Sequence, residues 1–172
     1  MNIELTNAER LLLANQYEIL AALNKDDHYS VMAETLRQGH KWLYSQYFDS
    51  LSENLPDEKA EHVLAILALY SVLRDSYTEL SDKGGVEEHA VQFKGFDGNN
   101  ESDLLCFARS LIKHDRYSET LGKTARNSHS HTTDIYTRML DCWDEMGRPD
   151  YPLSKEDIQK ILAAQVHPDN RK

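Results

Sequence analysis

The sequence predicts an all-α fold of about six main helices in a single compact, bundle-like domain. Apolar residues recur every three or four positions through most of the chain, which is the spacing of helices that bury one face. Two capping boxes, beginning at Thr6 and Ser154, indicate helix starts near opposite ends of the chain. Residues 90–93 could form a short strand, but no second strand is evident to pair with it. Residues 86–100 are therefore predicted to be an irregular extended segment.

The first helices follow from apolar stripes. Behind the Thr6 capping box, Leu12, Ile19 and Leu23 share one face with Gln16, which predicts a helix buried along that face. A short helix and turn are predicted over residues 44–54. The second helix begins near residue 28, and its stripe consists of Tyr29, Met32, Leu36, His40 and Leu43.

The longest helix is predicted to begin at Pro56. Proline suits the first turn of a helix, and Asp57 and Glu58 suit the positive end of the helix dipole. Two apolar rows give this helix a wide buried face, which is typical of the central helix of a fold. Gly84 and Gly85 end it. The rows are Val63, Leu67, Tyr70 and Tyr77, and Ile66, Leu69, Leu73 and Leu80.

Three more helices are predicted after the irregular segment. One begins near residue 102, and a polar loop follows over residues 118–131. Another begins at Thr132 or Thr133, and the last begins at Ser154. The single domain is thus predicted to consist of an acidic part (1–85), an irregular connector (86–100), a charge-neutral helical part (101–166) and a frayed tail (167–172).

The charge is unevenly distributed. Residues 1–112 hold 9 basic and 19 acidic residues, whereas residues 113–172 hold 10 of each, so the net charge of −10 comes from the first part. Because an acidic surface repels phosphate backbones, a nucleic-acid partner is disfavoured. The longest apolar run, residues 64–70, is too short to span a membrane, and the N-terminus lacks the pattern of a secretory signal. A cytoplasmic location is expected, with Cys106 and Cys142 as buried thiols.

A set of short motifs is arranged in order along most of the chain, from about residue 5 to about residue 164. The motifs are NAERLLL (7–13), NQY (15–17), ILALY (66–70), GFD (95–97), RY (116–117), YTRML (136–140) with Trp143, and LS (153–154). Together they resemble the YfbU-like family of small bacterial proteins. The resemblance implies an all-helical, cytoplasmic, bacterial protein, and it supplies no catalytic residue or cofactor. The chain departs from the family pattern at residues 118–131, which are more hydrophilic.

Histidines in the polar loop suggest a metal site. His129 and His131 could share a metal ion if the backbone between them is extended, and His114 and Asp115 could complete the ligands. The alternative interpretation is that these are exposed loop histidines without a shared ligand.

Four basic residues form a cluster in an otherwise acidic chain: Lys113, Arg116, Lys123 and Arg126. Arginine recognises phosphate or carboxylate with a planar fork, so the cluster could bind an anion. It could equally form salt bridges with the acidic first part, within one chain or between two.

Aromatic residues are concentrated around the second and fourth helices, where they could form an interface. Tyrosine and tryptophan are common at interfaces because they bury area and keep one polar contact. The alternative is an ordinary core. An interface would by default be that of a two-fold homodimer. The residues are Trp42, Tyr44, Tyr47, Tyr70 and Tyr77.

The sequence contains none of the phosphate-loop, dinucleotide, nucleophile-elbow or zinc-protease motifs. We therefore predict a non-enzymatic binding or regulatory module that acts as a homo-oligomer, needs no cofactor and has itself or another protein as partner. One alternative is a metal- or phosphate-dependent hydrolase or nuclease-like enzyme centred on residues 113–131. A second is a DNA-binding regulator with a helix–turn–helix over residues 38–77, against which the acidity of that segment argues.

Overall fold

The computed structural model describes residues 4–167 and residue 169, and over these residues the protein is all-α, as predicted. Two short helices, Lys41–Ser45 and Ser118–Leu121, bring the number above the predicted six. Residues 46–50 and 88–91 form 3-10 turns. The α-helices are α1 (Asn7–Asn24), α2 (Asp27–Gln38), α3 (Lys41–Ser45), α4 (Asp57–Glu79), α5 (Ser102–Lys113), α6 (Ser118–Leu121), α7 (Thr133–Glu145) and α8 (Lys155–Ala163). None of these helices is long and apolar enough to cross a membrane.

The contacts of the chain group into two compact units, Met1–Asn54 and Leu55–Lys172, which we call the N-terminal and C-terminal units. The sequence predicts a single domain with a connector at residues 86–100. The boundary between the compact units lies in the non-helical stretch before α4. Residues 86–100 belong to the C-terminal unit because their apolar side chains are buried in its core. These are Val86, Val91, Phe93 and Phe96.

The N-terminal unit is built on the paired helices α1 and α2. The predicted capping box begins α1: the Thr6 hydroxyl accepts from the Glu9 amide at 3.2 Å, and the Glu9 carboxylate accepts from the Thr6 amide at 2.7 Å. Helix α2 ends at Gly39, which has a left-handed backbone. The buried core of this unit is small and consists of Ala14, Met32, Leu36 and Tyr44.

Helix α4 is the central helix of the C-terminal unit. It contacts α5, α6, α7 and α8, so most of both predicted apolar rows is buried. Tyr77 and Leu80, at the end of the rows, are only half-buried. Helix α8 begins with the second predicted capping box, in which the Ser154 hydroxyl accepts from the Asp157 amide at 3.1 Å.

The predicted burial of both cysteines is wrong for Cys106, which is exposed. Helix α5 turns Leu104, Leu105, Ala108 and Leu111 toward the core, and Cys106 lies on the other side of the helix. Cys142 is half-buried, and its thiol donates to the Lys160 carbonyl at 3.8 Å.

The irregular segment 86–100 is held by aromatic packing and by one backbone bridge. The rings of Phe93 and Phe96 pack against each other and against Tyr136, and Phe93 also packs against Tyr70, with centroids 5.3–5.8 Å apart. Phe96 pairs as a single parallel bridge with Asn127. This contact fixes the course of the loop that follows α6.

Gly95 allows the segment that contains Phe96 to approach the segment that contains Asn127 closely. Its φ is +100°, and a Cβ atom at this position would lie 2.1 Å from the Arg126 carbonyl oxygen. Gly95→Ala is therefore expected to lower the free energy of unfolding by about 3 kcal/mol, from backbone strain and overpacking together. Gly147→Ala is the control, because Gly147 has φ +78° with nothing within 4 Å. It should cost only about 1 kcal/mol. Equal losses in urea unfolding would contradict this explanation.

Candidate functional site

Most of the exposed large apolar side chains belong to the N-terminal unit. Of the twelve such side chains found among the described residues, ten lie in this unit. Isolated exposed apolar residues are normal on soluble proteins, whereas a concentration of them in one unit is a candidate for an interaction surface. We call this set the N-terminal apolar surface. It consists of Leu11, Leu12, Ile19, Leu20, Leu23, Val31, Trp42, Leu43, Tyr47 and Leu51.

One stripe of this surface runs along α1. Leu12, Ile19 and Leu23 are 62%, 59% and 74% exposed. Their spacing of seven and four residues places them on one side of the helix, together with the uncharged Gln16. The sequence predicts that this side is buried, but the structure buries the side that carries Ala14. Helix α1 is therefore apolar on two sides, and only one of them packs within the unit.

Polar contacts hold α1 to α2 away from this stripe. The Arg37 guanidinium donates to the Glu18 carboxylate at 2.8 Å and to the Asn15 side-chain oxygen at 2.9 Å. Arg10 also reaches the Leu36 carbonyl at the end of α2, at 3.4 Å. The pairing of α1 with α2 is thus defined by core residues and by Arg37, and the stripe takes no part in it.

A buried carboxylate organises the C-terminal unit. Glu101 is only 3% exposed. Its oxygens accept from the amides of Asp97, Thr132 and Thr133 at 2.7, 2.9 and 2.7 Å. They also accept from the hydroxyls of Thr132 and Thr133 at 2.9 and 2.5 Å, and His131 Nδ1 lies 2.8 Å away. The carboxylate therefore joins the turn before α5 to the first residues of α7.

These hydrogen bonds determine the ionisation of Glu101. Burial by itself raises the pKa of the carboxyl, but the amides of Asp97, Thr133 and Thr132 and the Thr133 hydroxyl outweigh it. The pKa is lowered to about 2. Glu101 is thus a charged, fully hydrogen-bonded anchor at neutral pH. Since its oxygens are occupied by donors of the fold, this arrangement is typical of a structural role.

The C-terminal unit also contains a cavity of about 740 Å³ between α4, α6 and the irregular segment. Buried apolar residues lie at its floor, and the charged residues at its rim are exposed, except for Arg74, which is half-buried. Its volume is within the ~300–1,000 Å³ usual for small-molecule pockets. The floor is formed by Tyr70, Val91, Phe93 and Leu121, and the rim carries Arg74, Lys83, Glu88, Glu119 and Arg126.

The structure does not bring the predicted metal ligands together. His131 is next to Glu101, and no group of three or more His, Cys, Asp or Glu side chains is arranged to hold a metal ion among the residues that the structure describes. His129 lies in the loop that pairs with residue 96, whereas His114 and Asp115 follow the end of α5.

The predicted basic cluster is also divided. Arg126 lines the cavity, whereas Lys113, Arg116 and Lys123 do not. All four side chains are exposed. None of them forms an ion pair with any residue in the described part of the chain.

The predicted aromatic interface is distributed over both units. Trp42 and Tyr47 belong to the N-terminal apolar surface and are 74% and 40% exposed. Tyr44 and Tyr70 are buried in the cores of the N-terminal and C-terminal units, respectively. Tyr77 is half-buried at the cavity. The stripe on α1 was predicted as a buried face, and its exposure was not predicted, although the apolar residues on two sides of α1 were a visible signal for it.

The fold and these surfaces define a small all-α protein of two compact units. The YfbU domain profile matches residues 3–164, so the chain belongs to the YfbU family. A UPF0304 protein of Methanocaldococcus jannaschii is 32% identical over 167 residues, covering 93% of this chain and 99% of the relative. A UPF0304 protein of Actinobacillus succinogenes is 33% identical over 165 residues, covering 94% and 100%. Because the first of these organisms is an archaeon, such proteins are not confined to bacteria.

Proposed function

We propose that this protein is a non-enzymatic binding module that associates with itself, through the N-terminal apolar surface, as a two-fold homodimer. The observation that carries this proposal is the exposure of Leu12, Ile19 and Leu23 on the side of α1 that its own unit leaves open. A helix that is apolar on two sides is typical of one that is covered on both.

The size of the surface fits an interface between two copies. Side chains of this kind each offer on the order of 100 Å². Ten of them, exposed by 38–74%, give several hundred Å², which approaches the ~800 Å² per partner of a stable interface. The small core of the N-terminal unit is a second reason, because a unit of this size gains stability from an added apolar partner.

A second copy is a suitable occupant because the stripe can complement itself. Its central polar member, Gln16, is uncharged, so two stripes meet without like-charge repulsion. A two-fold axis beside α1 would bring two α1–α2 pairs together in the manner of a four-helix bundle. In such an arrangement each stripe covers the other.

The enzyme and DNA-binding alternatives have less support. The predicted metal ligands of residues 113–131 are not brought together among the described residues. A helix–turn–helix over residues 38–77 would have to use α3, which has five residues, as one of its two helices. Residues 46–56 also separate α3 from α4, whereas the two helices of such a motif are joined by a turn of about three or four residues.

Light scattering during size-exclusion chromatography of the full-length protein tests the proposal. We expect a mass twice the 19.8 kDa of one chain, decreasing toward one chain only on strong dilution. A mass of one chain at the highest soluble concentration would contradict it.

A further inference from the structure

The cavity of the C-terminal unit has the form of a site for an amphiphilic small molecule. Its floor residues Tyr70, Val91 and Phe93 are buried and apolar or aromatic. The charged residues are all at its rim, where each of them except the half-buried Arg74 is exposed. Pockets that combine an apolar interior with a few placed polar groups are the usual binding sites for small organic ligands.

One positive charge at the rim is held in place by neighbouring acids. The Arg74 guanidinium donates to the Asp75 carboxylate at 2.7 and 2.9 Å and to the Glu119 carboxylate at 3.0 Å. Its remaining nitrogen reaches the Thr120 hydroxyl at 3.4 Å. The Arg74 guanidinium is therefore held in one orientation, and its positive charge is largely neutralised by the carboxylates of Asp75 and Glu119.

Arg126 and Lys83 are the rim cations that remain. Arg126 has no hydrogen bond or ion pair to any side chain that the structure describes, although its backbone is fixed where Gly95 meets its carbonyl and where residue 127 pairs with Phe96. The Lys83 ammonium lies 4.6 Å from the centre of the Tyr77 ring. Among the residues that line the cavity, Glu88 supplies the one carboxylate that does not pair with Arg74. The residues that line the cavity thus include three cations, Arg74, Lys83 and Arg126, and two carboxylates, Glu88 and Glu119, which is one more positive than negative charge in a protein with a net charge of −10.

We infer that this cavity binds a small organic anion, with an aromatic or apolar body against Phe93 and a carboxylate or phosphate group on Arg126 and Lys83. The planar fork of arginine matches either anion, and the aromatic floor accepts a planar ring. The size of the cavity limits the ligand to a small molecule, and the acids Asp75 and Glu119, which pair with Arg74, disfavour a polyanion. The inference concerns the C-terminal unit alone and does not depend on self-association.

Nuclear magnetic resonance of the full-length, isotope-labelled protein tests this inference, with phenyl phosphate and benzoate as anionic probes and benzyl alcohol as the neutral probe. We expect saturable shifts of backbone amides in residues 70–78 and 119–126 with at least one anionic probe, and far weaker binding of benzyl alcohol. The comparison of phenyl phosphate with benzoate shows which anion the site prefers.

Arg126→Ala is expected to weaken binding of the anionic probe about tenfold or more, because it removes a charged hydrogen-bond donor from the rim. The matched control is Lys123→Ala, which removes an exposed cation three residues away that does not line the cavity. It should leave the affinity unchanged. No saturable shift with either anion, equal binding of benzyl alcohol, or equal weakening by both substitutions would overturn the inference.

Discussion

Replacing Glu101 with alanine is expected to lower the free energy of unfolding by about 4 kcal/mol. The substitution leaves the buried amides of Asp97 and Thr132 without the acceptor that they have in the native protein. It also frees the first turn of α7 from the turn before α5. Urea unfolding followed by circular dichroism measures the loss.

Two further substitutions separate this explanation from a general effect of removing acids. Glu101→Gln keeps the shape and one acceptor oxygen, so it should cost less than alanine, about 2–3 kcal/mol. Asp103→Asn removes a partly exposed carboxylate on the same helix, which pairs with Lys59 at 2.6 Å. Because exposed ion pairs contribute little, it should cost less than ~1 kcal/mol. Equal losses for Glu101→Ala and Asp103→Asn would refute the role assigned to Glu101.

The same carboxylate predicts how stability depends on pH. The pKa of Glu101 falls from 4.5 to about 2 on folding. Its contribution of about 3 kcal/mol is therefore fully present above pH 4.5 and is lost as the pH falls toward about 2. Glu101→Gln cannot titrate, so the stability difference between the wild type and this variant should shrink over that pH range. A difference that stays constant with pH would contradict the lowered pKa.

Ile19→Glu is expected to abolish self-association at concentrations where the wild-type protein is dimeric. A two-fold interface contains each residue twice. The loss of two buried isoleucines, at about 2 kcal/mol each, weakens association by roughly three orders of magnitude. The buried charges would weaken it further. Sedimentation equilibrium measures the dissociation constant of each variant.

Val166→Glu is the matched control for this substitution. Val166 is also an exposed β-branched residue, at 46% exposure, but it lies outside the N-terminal unit. The control should keep the wild-type dissociation constant. If both variants were as dimeric as the wild type, the interface would lie elsewhere. If both became monomeric, the effect would be one of charge and not of position.

The sequence predicts the fold class well because its strongest signals are local. Helical spacing and the capping boxes at Thr6 and Ser154 depend only on neighbouring residues, and both boxes are present in the structure. The wide apolar face of α4 likewise predicts its central position. The side of α1 that is buried could not be predicted in the same way. Both sides carry apolar residues, and the choice depends on which of them meets α2.

The site residues were harder to predict because they depend on contacts between distant parts of the chain. In the sequence, nothing distinguishes Glu101 from other acidic residues that precede a helix. Its hydrogen-bond donors Thr132 and Thr133 lie about 30 residues further along the chain. Arg126 was identified as part of a basic cluster by proximity in sequence. Its neighbours at the cavity, Arg74 and Lys83, come from the chain some 40–50 residues earlier. Spacing along a loop therefore did not indicate which cations share a site.

A distance measured between two copies tests self-association through α1 most directly. In a background with Cys106→Ser and Cys142→Ala, a spin label is attached to Ala22→Cys on the exposed side of α1, and pulsed electron paramagnetic resonance measures the distance between labels. Packed helices lie about 8–10 Å apart, so we expect a defined distance below about 40 Å that disappears when labelled protein is diluted with unlabelled protein. The absence of dipolar coupling at concentrations where the protein has twice the mass of one chain would contradict the proposed interface.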